Sequence, residues 1–228
     1  MLTAFPIFAS KLKNKYQNYY RMKKIIFAAL LLAFPLVASA QNRVEVSYES
    51  PDSIPDVTRG LMEFLDVYYM KITVHGDIKG KKWILWANQS NDGKVTSKPV
   101  FPYTFEFADT TATFSFYAQA DGVDSASIRI VTPRFTTAKN KYAINAENGT
   151  PYNSQYILME TLPEKPYDTT QDIPLVAFTT GLVKEVTYEG KKGVSIDYCG
   201  LRFANTDPKL WQEKHKVPRF VYFSLRME

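Results

Sequence analysis

Alternation of apolar and polar positions dominates the chain and predicts strands. Between Phe64 and Asn88, Met70, Ile72 and Val74 fall on one parity, with Lys71, Thr73 and His75 on the other. A two-residue period is what a strand with one buried and one wet face requires. Gly76-Asp77-Ile78-Lys79-Gly80 then reverses the chain, and the return segment carries Trp83 and Trp86. Together they read as two long strands around a glycine- and lysine-rich loop, with the tryptophans as anchors for a sheet packed on a sheet.

The same period recurs on both sides of this segment. Val44 to Tyr48 predicts an opening strand, and Phe101, Tyr103, Phe105 and Phe107 share one face of another. Thr111 to Gln119 is the cleanest run, with Ala112, Phe114, Phe116 and Ala118 inward. After a turn at Asp121-Gly122, Ala126, Ile128 and Ile130 continue the inner face. Those three runs predict an antiparallel meander. Thr132 to Gln155 is long and polar, with a turn at Asn148-Gly149. Further strands are predicted at Tyr156–Glu160, Ile173–Thr179, Leu182–Glu189, Val194–Tyr198 and from Pro218 onward, where Val221, Phe223 and Leu225 alternate with Phe220 and Tyr222. Leu182, Val186 and Tyr188 are expected to match Val194, Ile196 and Tyr198 across a hairpin.

Two segments depart from the strand period. Val57, Leu61, Met62 and Leu65 suit a helical turn with Ser53 as its cap, weakened by Gly60. Asp207-Pro208 opens one short helix near the C-terminus, ending near His215 and docked through Leu210 and Trp211. About ten short strands with little helix predict an all-β fold, an antiparallel β-sandwich that is jelly-roll-like or immunoglobulin-like. One sandwich over 41–228 is the preferred division. Two immunoglobulin-like halves meeting near Thr136 are the alternative, although no linker composition separates them.

The N-terminal segment changes the charge picture. Residues 22–40 have the layout of a signal peptide: Lys23 and Lys24, an apolar stretch from Ile25 to Val37, then Ala38-Ser39-Ala40 before Gln41. Thirteen positions interrupted by Pro35 are too few to span a bilayer, which takes roughly 20 residues. Residues 1–21 precede the Met22 that would start such a signal and read as a wrongly chosen upstream start. The whole chain has 28 basic and 23 acidic residues, net +5. Residues 1–40 hold six of the bases and no acid, so the remainder carries 22 against 23, net −1. No basic stripe is left to displace phosphate counterions, which argues against a nucleic-acid partner. No transmembrane segment is expected past residue 40. The single Cys199 rules out an internal disulfide, so the fold rests on apolar packing.

Catalytic chemistry finds no support. Cys199 lies in Asp197-Tyr198-Cys199-Gly200, which carries no sign of an activated thiolate, and a lone cysteine at a strand end is ordinarily a small buried apolar residue. His75 and Asp77 form too small a set for a transition-metal site. G-x-S-x-G and phosphate-binding glycine loops are absent, so no cofactor is expected, although paired carboxylates for sugar hydrolysis need not be close in sequence. The aromatics are the stronger signal. Tyr68, Trp86, Tyr117, Tyr142, Tyr152 and Tyr222 are read as lying on outward strand positions or in loops, where a flat aromatic row stacks on sugar rings. The alternative role for each is core packing, the usual fate of aromatics in β proteins.

Asp followed by Ser or Thr and then an apolar or small residue, or Thr, recurs four times, marking Ser53, Thr110, Ser125 and Thr169 as acceptors. The pattern is similar to the O-glycosylation sequon of exported proteins in Bacteroidetes-type bacteria; turn capping by Asp-Ser and Asp-Thr is its structural alternative. With the Ala-Ser-Ala-Gln cleavage site and the strand pattern, the chain resembles small exported β-sandwich proteins of gut anaerobes. That resemblance transfers no site residue. It implies export to the periplasm, the cell surface or the exterior of a Gram-negative cell. The expected function is non-enzymatic binding, with glycan the favoured ligand. A protein-interaction or structural role in an envelope complex, through strand edges or the Phe220/Tyr222 face, comes second, and a hydrolase third.

Overall fold

The computed structural model describes residues 42–50, 53–122, 125–144, 156–162, 165–217 and 219–228. The expected leader, Tyr152 and the Asn148-Gly149 turn lie outside the described residues. Residues from Arg43 to Glu228 form one compact unit. In chain order its elements are β1 (Arg43–Tyr48), α1 (Asp56–Phe64), β2 (Tyr68–Gly76), β3 (Lys82–Asn91), β4 (Lys94–Pro99), β5 (Phe105–Glu106) and β6 (Thr111–Asp121). There follow β7 (Ser125–Val131), β8 (Asn140–Ala143), β9 (Ile157–Glu160), β10 (Tyr167–Asp168), β11 (Ile173–Thr179), β12 (Leu182–Tyr188) and β13 (Lys191–Asp197). The last elements are α2 (Tyr198–Phe203), a 3-10 turn (Pro208–Leu210), α3 (Trp211–His215) and β14 (Arg219–Met227).

These strands form an antiparallel β-sandwich. The first sheet runs β10-β1-β2-β6-β7-β8, and the second runs β4-β3-β14-β11-β9 with β5 added on β3. A two-stranded ribbon, β12–β13, pairs only with itself. Between the main sheets lies one apolar core. Val44, Val46, Ile72, Val74, Phe114, Phe116, Ile128 and Ile130 enter it from the first sheet, and Trp83, Leu85, Phe178, Val221, Phe223 and Leu225 from the second. The inward positions read from the alternation of β2, β6 and β7 are the buried ones. Register explains why: Ile72 lies beside Phe114 and Val74 beside Ala112, so the inner faces of neighbouring strands form continuous apolar rows.

The segment expected to be a hairpin is instead a crossing between sheets. β2 pairs with β1 and β6, while β3 pairs with β4, β5 and β14. Residues 77–81 carry the chain from one layer to the other, a step of about 10 Å between stacked sheets. Ile78 plugs the end of the core, fully buried. Gly80 takes a left-handed φ of 79°, and Lys81 N–H donates to the Ile78 carbonyl at 2.9 Å.

Other expectations are also corrected. Phe101–Phe107 supplies only the two-residue β5 because Pro99 and Pro102 remove backbone donors. Phe101, Phe105 and Phe107 surround Trp83, with ring centres 5.7, 5.4 and 5.5 Å away. The meander therefore holds for β6 and β7 but not for this run. Lys94–Pro99, exposed throughout, completes a tight hairpin on β3 through Asp92 (φ 49°) and Gly93 (φ 91°). The long polar stretch after Thr132 contains β8. In the β12–β13 ribbon, Leu182 faces Asp197 and Val186 faces Gly193, so the expected matching of apolar positions does not occur.

Helix starts follow their capping chemistry in part. Asp207 accepts from Lys209 N–H at 2.9 Å, Pro208 follows, and the segment opens as a 3-10 turn before α3. α3 ends at Lys216 in the left-handed conformation. Ser53 does not cap α1: its hydroxyl donates to the Ser50 carbonyl at 2.7 Å, and Pro55 occupies the cap position. α2 was not foreseen; Asp197 caps it by accepting from Gly200 N–H at 2.6 Å. Cys199 sits in this helix and is exposed, not buried at a strand end.

The outer face of the second sheet carries a smaller apolar cluster. Phe220 and Tyr222, each 1% exposed, pack with Met159 and Ala177 beneath Leu201, Trp211 and Val217 from α2, α3 and the segment after it. This corrects the expected Phe220/Tyr222 docking face, which the helices already cover.

Candidate functional site

The aromatic residues singled out in the sequence do not form one row. Tyr68 shares the parity of Met70 and Ile72, and its ring meets Phe178 edge-on at 6.0 Å at the end of the core. Tyr142 packs edge-on against Phe223 at 5.6 Å, and burial pushes its hydroxyl up to about 12. Trp86 is half-buried on the outer face of the second sheet, with the Arg226 guanidinium 4.2 Å from its ring centre. Tyr222 is buried, as above. Only Tyr117, 37% exposed, stands on the outer face of the first sheet. The core contact of Tyr142 corrects its expected outward placement, whereas Tyr68, on the inward parity of β2, is 37% exposed at the strand's end.

Tyr117 has a partner that the sequence reading passed over. Tyr69 lies directly beside it across the β2–β6 ladder, with ring centres 4.9 Å apart and planes inclined by 45°. Tyr69 shares parity with Lys71, Thr73 and His75, the set already assigned to the wet face, so its orientation was available from the alternation. Burial, then the neighbouring Tyr69 hydroxyl, raises the Tyr117 hydroxyl pKa.

Two open clefts flank the pair, and Tyr117 lines both. One, of about 360 Å³, has Val67, Gln119, Ser127, Arg129 and Lys139 among its walls. The other, of about 260 Å³, lies between Tyr69 and Lys71 on the sheet and Ser53, Pro55, Thr58 and Met62 before and along α1. Ligand sites of this kind combine apolar walls with a few placed polar groups. Lys71 is held by Glu49 at 3.2 Å, and the Gln119 amide donates to the Leu65 carbonyl at 2.7 Å. That last bond ties the segment after α1 to β6. It fixes the end of the helix that walls the smaller cleft.

Each histidine meets a threonine hydroxyl. His75 Nδ1 meets Thr111 Oγ1 at 2.9 Å, and His215 Nε2 meets Thr206 Oγ1 at 2.9 Å. Among the described residues, no three His, Cys, Asp or Glu side chains converge as a metal site would need. The four sequon hydroxyls differ in access. Ser53 and Thr110 are exposed, whereas Ser125 is half-buried and donates to the Asp121 carbonyl at 2.8 Å. Thr169 is buried and accepts from Lys81 Nζ at 3.2 Å. No helix among the described residues is long and apolar enough to cross a membrane. No protein-family model, curated protein or solved structure matches the chain.

Proposed function

We propose that this protein is an exported, non-enzymatic binding module of the bacterial cell envelope, and that it holds glycan on the Tyr69–Tyr117 pair. The observation that carries the reading is the placement of two adjacent tyrosine rings on the outer face of the first sheet between two clefts. Sugar C–H groups carry slight positive charge and stack on the negative face of an aromatic ring, while hydroxyls take hydrogen bonds from polar groups at the margin. Gln119, Ser127, Thr136 and Thr58 provide such groups around the rings. Glu49, the carboxylate on the cleft walls, is engaged by Lys71, which favours holding a ligand over cleaving one. The envelope location rests on the signal-peptide layout of residues 22–40.

Binding to a broad glycan array, followed by the same array with Tyr117→Ala, tests the reading. Retained fold with lost binding is the expected result for the variant. Silence of the wild-type protein across the array removes the proposal. In the same protein from its native host, N-terminal sequencing is expected to start at Gln41. Intact mass is expected to exceed that of the bare polypeptide through glycans on exposed Ser53 or Thr110.

A second reading has its own observation. Val57, Leu61, Phe64 and Leu65 line one side of α1 and its end, with Val57 79% and Phe64 84% exposed. Apolar side chains at this spacing form a stripe of the sort that docks on another protein. Loss of a co-purifying envelope protein on Leu61→Ser with Phe64→Ser, with glycan binding unchanged, would favour this role.

A further inference from the structure

Charge on the walls of the larger cleft points to the kind of sugar. Across the first sheet, Tyr69, Tyr117 and Arg129 occupy one row, each directly beside the next in the β2–β6 and β6–β7 ladders. Lys139, just before β8, lines the same cleft as Tyr117 and Arg129. Neighbouring carboxylates are already committed elsewhere. Asp121 takes Lys141 at 2.7 Å and the Ser127 hydroxyl at 3.0 Å, and Glu49 takes Lys71 at 3.2 Å. Among the described residues, no carboxylate lies within 4 Å of the Arg129 or Lys139 cation, although Lys139 is near enough to Asp121 to help hold its pKa down. Both are exposed at the cleft that Tyr117 borders.

We infer that this cleft selects acidic saccharides, a uronic-acid carboxylate meeting Arg129 and Lys139 while its ring stacks on Tyr117. The inference rests on the tyrosine platform proposed above and adds its ligand class. A guanidinium presents its N–H groups as a planar fork that matches both oxygens of a carboxylate, and such charge-assisted bonds are stronger than neutral ones. Placed one strand from the ring, the fork meets a substituent at the edge of a stacked sugar rather than at its face. Cross-strand neighbours have Cβ atoms about 5 Å apart, within the span of one sugar ring and its substituent. Lys139 adds a second positive charge without a fixed geometry, which raises encounter with acidic chains.

The test compares one uronic-acid oligosaccharide with the same oligosaccharide after its carboxyl groups are reduced to alcohols, each titrated into the full chain. The acid form is expected to bind about tenfold tighter at low salt, with the advantage shrinking as salt rises. Arg129→Gln with Lys139→Gln is expected to bring the two affinities together. The same loss of two charges on the ribbon, Lys191→Gln with Lys192→Gln, is expected to leave the preference intact. Equal binding of both forms by the wild type overturns the inference and leaves the platform standing. So does a preference that survives the cleft variant or vanishes in the ribbon variant. Absence of binding to either form also overturns the inference; binding of other glycans on the array then leaves the platform standing and silence there removes it. Circular dichroism of each variant separates these results from loss of fold.

Discussion

The Arg226 guanidinium lies 4.2 Å from the centre of the Trp86 ring while its Nε reaches the Asp172 carboxylate at 2.5 Å. Lys209 meets the same carboxylate at 3.1 Å. Burial pushes the Asp172 carboxyl up, but the bonds from Arg226 and Lys209 outweigh it and hold the pKa below the ordinary carboxylate value. Lys141 at Asp121, the Thr170 backbone at Asp168 and Lys184 at Asp197 act in the same direction. Each lowered pKa means that the unfolded chain takes up protons first. Their stabilisation is therefore present above the unfolded carboxylate range, about 3.9, and is lost as pH falls below it. Urea midpoints measured from neutral pH down to acid are expected to fall steadily, with a shallower fall in Asp172→Asn. Parallel curves for the two proteins would show that Asp172 does not contribute.

At alkaline pH the tyrosines act. Burial pushes the hydroxyls of Tyr48, Tyr142 and Tyr156 up to about 12, and those of Tyr167 and Tyr222 are also raised. An unfolded chain releases these protons near 10, so stability is complete below that value and falls as pH rises through the folded values. Phenolate absorbance is expected to rise in two phases, the later one coinciding with loss of near-ultraviolet circular dichroism. A single phase with the tertiary signal intact would contradict the burial of these hydroxyls.

Phe223 joins the two sheets, with Phe116 5.2 Å away and Tyr142 edge-on at 5.6 Å. Phe223→Ala is expected to cost about 3–5 kcal/mol through lost transfer energy and the cavity left behind. The urea midpoint is expected to fall with an unchanged slope, and less so in Phe223→Leu. A loss below about 1 kcal/mol would mean the core refills the space.

Gly76 ends β2 where β1 passes close by. A Cβ there would run into the Arg43 carbonyl oxygen and lie 3.1 Å from Val44 Cα, with φ at 152°. Backbone on backbone cannot yield as a side-chain tip does. Gly76→Ala is therefore expected to destabilise by more than about 1 kcal/mol, and by more than Gly122→Ala, where the added Cβ meets no atom and only the left-handed φ of 73° opposes it. Equal midpoints for these variants would contradict the close approach of β1.

Inner faces were legible because burial imposes a period of two, visible in Ala112, Phe114, Phe116 and Ala118 without any knowledge of neighbours. Sheet membership was not, because a loop such as 76–80 can close a hairpin or cross a sandwich with the same residues. Trp83 and Trp86 show the consequence: they have opposite parity, so one is the core anchor and the other an outer residue under Arg226. The Tyr69–Tyr117 pair needed register as well as orientation, and register between β2 and β6 is set across residues 77–110, which include a whole second-sheet hairpin. Tyr222 was lost to tertiary cover, since nothing in its own strand reveals that Trp211 and Leu201 lie above it.

β14 sits between β3 and β11, the middle of its sheet, although it is the last strand of the chain. During vectorial synthesis β3 and β11 therefore wait with open edges until residues 219–227 emerge, and the wall they form cannot close piecemeal. Completion of the sandwich therefore depends on pairing between segments far apart in the chain, a long-range closure of the kind that folds slowly.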